Sequence, residues 1–256
     1  MKFKTTPYHH DLLKDWQRLA VFYNAILDYD SDNKLAYDLG CGSGILSYFL
    51  SSYFEEVISL EIDYKTAEYA KENLSNFSNV HVINSDVMDH EFREKADLIV
   101  CEMMDTALID EEQVPVLNYA KQFLKDTGKI IPMGVINTVE LVNMEREYVH
   151  WDEEGANYEE LSDAKVYSKI NFLDDVDPDF ENIISIKAKK DGMVNGLKIT
   201  TFTVLIDDLI CGPTPMLNPP LLIPLDKQSV KSNEFINVKL KYSMGNGIES
   251  IKTEYV

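Results

Sequence analysis

The sequence has 256 residues, with 24 lysines and arginines against 44 aspartates and glutamates, and a formal net charge of −20 at pH 7. Because contacts with a phosphate backbone depend on Lys and Arg, we do not expect so acidic a chain to bind nucleic acid. No apolar run approaches the about 20 residues that span a bilayer, and the first residues lack the apolar centre of a signal peptide. The three cysteines lack the C-x-x-C spacing of a zinc site or a disulfide framework, so we expect reduced thiols and no metal. These features predict a cytoplasmic protein without membrane contact.

The first half of the chain alternates between helical and strand-like patterns. An amphipathic helix is predicted from Asp11 to Leu27, where apolar residues recur at helical spacing. From Leu35 onward, strand-like and helix-like segments alternate with short connections, which is typical of βαβ units on a parallel sheet. We therefore predict a Rossmann-like α/β domain, with an N-terminal helix, over residues 1–132.

The second half changes character near Pro132. Its readable segments are strand-like and are separated by turn signals rich in Gly and Pro, which predicts an antiparallel, barrel-like β domain over residues 133–256. Residues 152–181 carry eleven acidic and two basic side chains. We interpret this acidic segment as a solvated, partly helical insertion at the edge of the β domain.

The strongest local signal is a glycine loop after the first predicted strand, where Gly40, Gly42 and Gly44 follow Asp38 and lead into a helix. Glycines let the backbone approach a ligand closely, and the start of a helix offers free N–H groups to an anion. A dinucleotide fingerprint would need a glycine at position 45, and a phosphate-binding P-loop would need a Lys-Ser/Thr pair; neither is present. The second predicted strand ends at Glu61, whose carboxylate can accept hydrogen bonds from ribose hydroxyls. The pattern indicates a cofactor that contains a nucleoside.

This arrangement resembles the S-adenosylmethionine-dependent methyltransferases, whose glycine loop passes close to the methionine part of the cofactor. The resemblance implies S-adenosyl-L-methionine as the cofactor. In such enzymes an acidic residue after the third strand often lies near the adenine, which implies a similar place for Asp86 and Val87. A tight turn without a ligand is the alternative, but strand, loop, helix and acidic strand end all occur in the required order.

A second signal follows the fourth predicted strand, which ends at Glu102. Glu111 comes nine residues later, across a short apolar loop. Ligands of open α/β sheets bind at the carboxyl ends of the strands, and two carboxylates that face one cleft can hold a planar cation with paired hydrogen bonds. The alternative is a pair of solvated loop carboxylates, which are common in acidic proteins.

The paired glutamates resemble the double-glutamate loop of the protein arginine methyltransferases. Residues 9–15 together with Arg18 are similar, without gaps, to the helix that precedes the glycine loop in that family. The resemblance covers residues 8 to about 135. It implies that Arg18 pairs with the cofactor carboxylate, that His9 lies beside it, and that Glu102 and Glu111 are the catalytic pair.

The chain also departs from the pattern of that family. Met103 replaces a tryptophan, and Asp105-Thr106 replaces Gly-Tyr, so the resemblance implies that a pocket wall and a helper phenol are missing. The Thr-His-Trp loop has no match; Asn218-Pro219-Pro220-Leu221 lies in roughly that region and is interpreted as a turn. There is no room for the dimerisation arm, so no arm-mediated ring dimer is expected.

These departures leave the methyl acceptor open. The leading hypothesis is an N-methyltransferase that acts on arginine, or on histidine, of a basic protein or peptide. A small-molecule methyltransferase is the second hypothesis. A non-catalytic cofactor-binding adaptor is the third, and the retained glutamates argue against it.

Overall fold

The computed structural model describes residues 2–29, 34–152 and 155–256. Its first half contains the strands Leu35–Leu39 (β1), Glu56–Glu61 (β2), Val80–Asn84 (β3), Ala96–Cys101 (β4) and Leu124–Ile131 (β5). They form one parallel sheet in the order β3-β2-β1-β4-β5. The direction of winding reverses between β1 and β4, and in open α/β sheets a crevice for ligands opens at that point, outside the carboxyl ends of the strands. The predicted Rossmann-like fold is confirmed.

Helices precede this sheet and lie in the connections that follow β1, β2 and β4. Their bounds are Pro7–Lys14 (α1), Trp16–Leu27 (α2), Ile45–Leu50 (α3), Tyr64–Asn73 (α4) and Gln113–Ala120 (α5). The connections return the chain to the same end of the sheet, which parallel pairing requires. None of the helices formed by the described residues is long and apolar enough to cross a membrane.

The N-terminal helix differs from its prediction, because the chain forms two helices, α1 and α2, that meet at Asp15. The Asp15 carboxylate accepts a hydrogen bond from the backbone N–H of Arg18 at 3.1 Å, as an N-cap residue does. The same carboxylate also accepts hydrogen bonds from the Thr214 hydroxyl and, at 2.9 Å, from the Met216 N–H. Helical periodicity continued through Asp15, so the pattern could not reveal that this residue ends one helix and begins the next.

The described residues of the second half form ten strands, the first of which begins just after Pro132. Their bounds are Gly134–Met144 (β6), His150–Trp151 (β7), Tyr158–Glu160 (β8), Lys165–Asn171 (β9), Asp179–Lys187 (β10), Gly192–Ile206 (β11), Leu209–Cys211 (β12), Leu221–Val230 (β13), Phe235–Ser243 (β14) and Lys252–Tyr255 (β15). One sheet has the order β7-β13-β11-β6-β8, with β12 on β11 and β9 on β6, and the other has the order β10-β14-β15. All pairs in the two sheets are antiparallel, as predicted, and the described strands do not close into a complete barrel.

The acidic segment, residues 152–181, also differs from its prediction. Its described residues contain strands β8 and β9, which pair with β6, and the start of β10; they form no helix. Leu161 and Phe172 within it are fully buried, while most of its carboxylates remain in solvent. Leu161 follows β8 directly and Phe172 follows β9 directly, so the end of each strand brings one apolar side chain into the core while the strands themselves keep their charged side chains near solvent.

One hydrophobic cluster joins the two halves. It includes Tyr37, Leu39 and Ile99 of the parallel sheet and Val135, Leu197 and Ile199 of the antiparallel sheet. Ala107, Leu108 and Ile109, which lie between the two predicted glutamates, are fully buried in the same cluster. The segment that carries the glutamates is therefore packed between the two halves.

Candidate functional site

The glycine loop, residues 40–44, leaves β1 at the carboxyl edge of the parallel sheet and leads into α3. Gly40 and Gly42 have φ of 72° and 54°, a conformation that side chains rarely adopt. A Cβ at Gly40 would lie 2.6 Å from Sδ of Met103, and one at Gly42 would lie 2.7 Å from Cδ2 of His9. Both positions therefore need glycine for conformation and for space, and the loop forms a bare backbone surface between His9 and Met103.

Asp38 lies beneath this loop. Its carboxylate is buried and accepts a hydrogen bond from the hydroxyl of Ser47 in α3, which lies 2.8 Å from the hydroxyl of Ser59 in β2. Burial raises the pKa of Asp38 to about 7, and the charge of Glu61 adds to the shift. Asp38 does not line the cavity described below. In this structure its contact is with Ser47 in the first turn of α3.

Glu61 at the end of β2 faces the loop. Its Oε2 accepts a hydrogen bond from the Gly42 N–H at 2.9 Å, and its Oε1 accepts one from the Asp63 N–H at 2.9 Å. A carboxylate oxygen can accept more than one hydrogen bond, so Glu61 keeps acceptor capacity for a ligand. Asp86 and Val87 follow the neighbouring strand β3; Val87 is buried, Asp86 accepts the Met88 N–H at 2.8 Å, and neither lines the cavity.

Arg18 and Glu102 form an ion pair at the centre of the site. The side chains are only 4% and 10% exposed, and Nη2 of Arg18 donates to Oε2 of Glu102. The Nε of Arg18 is buried and has no hydrogen-bond partner among the described residues. A buried guanidinium donor without an acceptor is unfavourable, and it marks the place where an anionic ligand group would fit.

His9 lies at the other side of Gly42. The Thr6 hydroxyl and Nδ1 of His9 are 2.7 Å apart, which fixes the orientation of the ring. Burial lowers the pKa of His9, so the neutral imidazole is the form that packs on the loop.

Glu111 lines the same cavity as the ion pair, in an acidic environment. Burial, and then the charges of Glu102, Asp105 and Asp110, raise the pKa of Glu111 to about 8. No ion pair of Glu111 is formed with the described residues. Tyr8 also lines this cavity; burial and the charges of Glu111 and Glu102 raise its pKa to about 12, although 55% of the side chain is exposed.

A cavity of about 180 Å³ unites these groups. Its lining includes His9, Arg18, Gly40, Gly42, Glu61, Glu102 and Glu111 from the predicted set. Sequence reasoning missed Tyr8 and Met216, which also line it. Tyr8 adjoins the recognised helical motif and could have been noted from that position. Met216 follows a Gly-Pro-Thr-Pro turn far along the chain and gave no signal.

Met216 reaches the cavity because its loop is fixed to both neighbouring segments. Asp15 binds Thr214 and Met216, as described above, and the Thr106 hydroxyl donates to the Pro219 carbonyl at 2.6 Å. The turn lies at residues 214–217, where Thr214 and Leu217 are bridged; Asn218-Pro219-Pro220, interpreted as a turn, is instead the irregular connection from it to β13, which begins at Leu221. The β half therefore supplies one wall of the site.

Comparisons with known proteins agree with this geometry. A family described as a methyltransferase domain matches residues 36–128. An uncharacterized protein of Methanothermobacter thermautotrophicus is 43% identical over 256 residues, 100% of both chains. A probable histone-arginine methyltransferase 1.3 of Arabidopsis thaliana is 31% identical over 133 residues, which are 49% of this chain and 25% of that protein. A solved structure, the Trypanosoma brucei PRMT1 enzyme-prozyme heterotetrameric complex with AdoHcy, shares the fold with a TM-score of 0.82 at 18% identity, over 98% of this chain and 96% of that one.

The fold and the site thus define an S-adenosylmethionine-dependent methyltransferase that is similar to the protein arginine methyltransferases. The chain belongs to one family with the Methanothermobacter protein, which it matches over its whole length. Its cofactor is S-adenosyl-L-methionine, and the bare glycine backbone and the unpartnered Nε of Arg18 fit that cofactor.

Proposed function

We propose that this enzyme transfers a methyl group to a side-chain nitrogen of a basic protein or peptide, arginine first and histidine as the alternative. The observation that carries the proposal is the presence of Glu102 and Glu111 in one cavity with the glycine loop. Among the described residues that line this cavity, Glu61, Glu102 and Glu111 carry carboxyl groups, and the one arginine or lysine is Arg18, which already pairs with Glu102. The positive charge of an acceptor guanidinium matches this site, where the charges of neighbouring carboxylates raise the pKa of Glu111.

The same proposal assigns the groups that hold the cofactor. Glu61 would accept hydrogen bonds from the ribose hydroxyls, the backbone at Gly40 and Gly42 would lie against the methionine part, and Arg18 would pair with the carboxylate. S-adenosylmethionine supplies an electrophilic methyl group on a sulfonium, which leaves readily. The task of the protein is then to align the acceptor nitrogen with that methyl carbon.

Glu111 would orient the acceptor and respond to its charge. With its pKa near 8, Glu111 is largely protonated at pH 7 in the free enzyme. A cationic side chain beside it favours the carboxylate, so we expect Glu111 to release its proton as a guanidinium binds. Glu102 and Glu111 together would then draw positive charge toward the nitrogens that are not attacked. With an imidazole acceptor, one carboxylate would accept the ring N–H and leave the other nitrogen free.

The test is transfer of an isotopically labelled methyl group to arginine-rich and histidine-containing peptides and to a cell extract, followed by mass spectrometry. Glu111→Gln should lower kcat by about a hundred-fold or more, because a charged group that faces the reacting centre is lost. Donor affinity, measured by calorimetry, should stay within about two-fold of the wild type. Glu112→Gln is the matched control, since its exposed side chain makes no capping hydrogen bond.

Glu111 is a cleaner target than Glu102 because Glu102→Gln would also remove the partner of the buried Arg18. Label found only on small metabolites would favour the small-molecule alternative. Label found nowhere, with the donor still bound, would favour a cofactor-binding adaptor. Full activity of Glu111→Gln would contradict the role of the carboxylate pair.

The proposal includes the partners and the setting of the enzyme. The net charge of −20 would attract a basic segment, so transfer to peptides should fall at high salt. We expect the cytoplasm as its location, in agreement with three buried cysteines that are all free thiols. We also expect no arm-mediated ring dimer; light scattering combined with a crystal structure would test this.

A further inference from the structure

Gln113, the first residue of α5, makes an unusual set of hydrogen bonds. Its side chain is completely buried. Its Oε1 accepts the Met103 N–H at 2.9 Å and the Cys101 thiol at 3.4 Å, and its Nε2 donates to the Cys101 carbonyl at 2.8 Å. All three bonds go to the two residues that flank Glu102.

These backbone groups need such a partner because the strand ends there. β4 ends at Cys101, and its pairing with β1 stops at that residue while its pairing with β5 stops at Val100. A buried backbone group without a hydrogen bond costs about 1–3 kcal/mol. The amide of Gln113 carries both a donor and an acceptor, so it replaces the missing neighbouring strand at the point where Glu102 leaves the sheet.

The glutamate loop, residues 102–111, has a strained backbone. Ala107 and Leu108 both have φ of 60°, a left-handed conformation that is unfavourable for non-glycine residues. Asp105 compensates at the far end, since its Oδ1 accepts the N–H groups of Asp110 at 3.1 Å and of Glu111 at 3.3 Å. A strained loop keeps one conformation only when surrounding groups determine it.

We propose that Gln113 is a positioning residue that fixes Glu102 opposite Glu111 for the methyl acceptor. The assignment rests on the proposed function, because it concerns the spacing of the carboxylate pair. Gln113 follows Glu111 by two residues, so the segment that carries one carboxylate also holds the backbone of the other. Gln113 itself does not line the cavity and acts only through Cys101 and Met103.

Two substitutions separate positioning from general stability. Gln113→Met keeps the length of the side chain and removes the donor and the acceptor; it should lower kcat by about ten- to a hundred-fold, with donor Kd within about two-fold. Gln113→Glu is isosteric, and its protonated form restores both bonds, since C=O accepts from Met103 and O–H donates to Cys101. The ionised form has no donor and repels the Cys101 carbonyl.

The Gln113→Glu variant should therefore be rescued by acid. Its kcat/KM, divided by the wild-type value at each pH, should approach one near pH 6 and fall about tenfold or more by pH 9. Division by the wild type corrects for the titrating groups that both enzymes share around the loop, Glu111, Asp105, Cys101 and Tyr8. Gln122→Met and Gln122→Glu, at an exposed glutamine just beyond α5, are the matched controls and should show neither effect.

Hydrogen exchange at the Met103 amide gives a readout that needs no acceptor. This N–H should be protected in the wild type and should lose at least tenfold protection in Gln113→Met. Unchanged protection, or a flat pH ratio for Gln113→Glu together with wild-type turnover in Gln113→Met, would overturn the assignment. Should the wild type methylate no peptide, the proposed function fails, and the exchange experiment alone then decides whether Gln113 holds this strand end.

Discussion

The glycine loop and the glutamate loop lie at the same edge of one sheet but are built differently. The glycine loop is shaped by its own backbone: Gly40 and Gly42 supply positive φ and free space, and Glu61 fixes one N–H at 2.9 Å. The glutamate loop contains no glycine. Its own Asp105 accepts the Asp110 N–H, and the rest of its support comes from outside, from Gln113 and from the hydroxyl of Thr201, which accepts the Ala107 N–H at 2.7 Å.

This difference has a functional consequence. A loop determined by its own residues can bind the same cofactor in many proteins, because little else must be in place. A loop held by distant side chains depends on the β half, whose Gly245 and Gly247 N–H groups donate to the carbonyls of Leu108 at 3.0 Å and Ile109 at 2.8 Å. We therefore expect donor binding to withstand changes in the β half, and acceptor alignment to be sensitive to them.

The largest effect is expected for Glu61→Ala, which tests whether the donor site is self-contained. Loss of two hydrogen bonds to a charged acceptor should weaken binding of S-adenosylhomocysteine by about 2–4 kcal/mol. Calorimetry would measure this change, with Glu55→Ala, an exposed glutamate just before β2, as the control. Equal affinity of Glu61→Ala and wild type would show that the carboxylate only braces Gly42 and Asp63.

The next largest effect concerns pH and should be confined to the acceptor side. If ionised Glu111, with a pKa near 8, is the form that receives a cation, kcat/KM for a basic peptide should rise about tenfold per pH unit below pH 8 and then level off. Glu111→Gln should remove this dependence. Donor affinity over the same range should not follow it, and a parallel rise in donor affinity would contradict the separation of the two loops.

The same shifted groups predict a change in stability. The native pKa values of Glu111, about 8, and of Asp38 and Asp105, about 7, lie above those of an unfolded chain, so the native state binds more protons. The contribution of these three groups to stability is therefore fully present below the unfolded pKa values, near pH 4, and is lost as pH rises from there through the native values of 7 to 8. The midpoint of thermal unfolding should fall over this range, and less so in Glu111→Gln.

Asp15 joins the N-terminal helices to the β half and should have an intermediate effect. Asp15→Ala removes a helix cap and two buried hydrogen bonds to Thr214 and Met216, and should lower the free energy of unfolding by about 2–4 kcal/mol. Asp63→Ala, which removes an exposed cap on α4, should cost only about 1 kcal/mol. Urea unfolding compares them, and equal losses would show that Asp15 caps a helix without fixing the β half.

The contrast between the loops also explains what could be predicted from the sequence. Gly40, Gly42 and Glu61 were recognisable because the conformation and hydrogen bonds of the glycine loop restrict residue type within a short segment. The parallel sheet was predictable for a similar reason, since its buried strands and amphipathic helices differ in period. Glu102 was recognisable only from its place at a strand end and from a family resemblance.

Other features depend on contacts that no local pattern encodes. Asp15 looks like one more polar position on an amphipathic helix, and only its hydrogen bonds to Thr214 and Met216 explain why the helix stops there. In the sequence, Asp105 is a departure from a family motif, and Gln113 is an ordinary residue of a predicted helix. The acidic segment was predicted as partly helical because its charge drew attention away from its strands, at whose ends Leu161 and Phe172 are buried.

The smallest effect is expected for Tyr8, which forms part of the cavity rim beside Glu111 and Glu102. The resemblance implied that a helper phenol was missing from the glutamate loop, and the structure provides a phenol from α1 instead. An aromatic face beside a guanidinium contributes about 0.5–1 kcal/mol at an exposed site, so Tyr8→Leu should raise KM for an arginine peptide by about two- to five-fold. Tyr8→Phe keeps the ring and should change KM little if the aromatic face binds the guanidinium, whereas an equal rise in KM in both variants would assign the effect to the hydroxyl.

Tyr64→Leu, at an exposed tyrosine that does not line the cavity, is the control for loss of surface aromatic area. Tyr8 adjoins both His9 and the glutamates, so donor affinity must be measured as well. A change in donor Kd equal to the change in KM would show that Tyr8 serves donor binding at the glycine loop, and a change in KM alone would show that it serves acceptor binding.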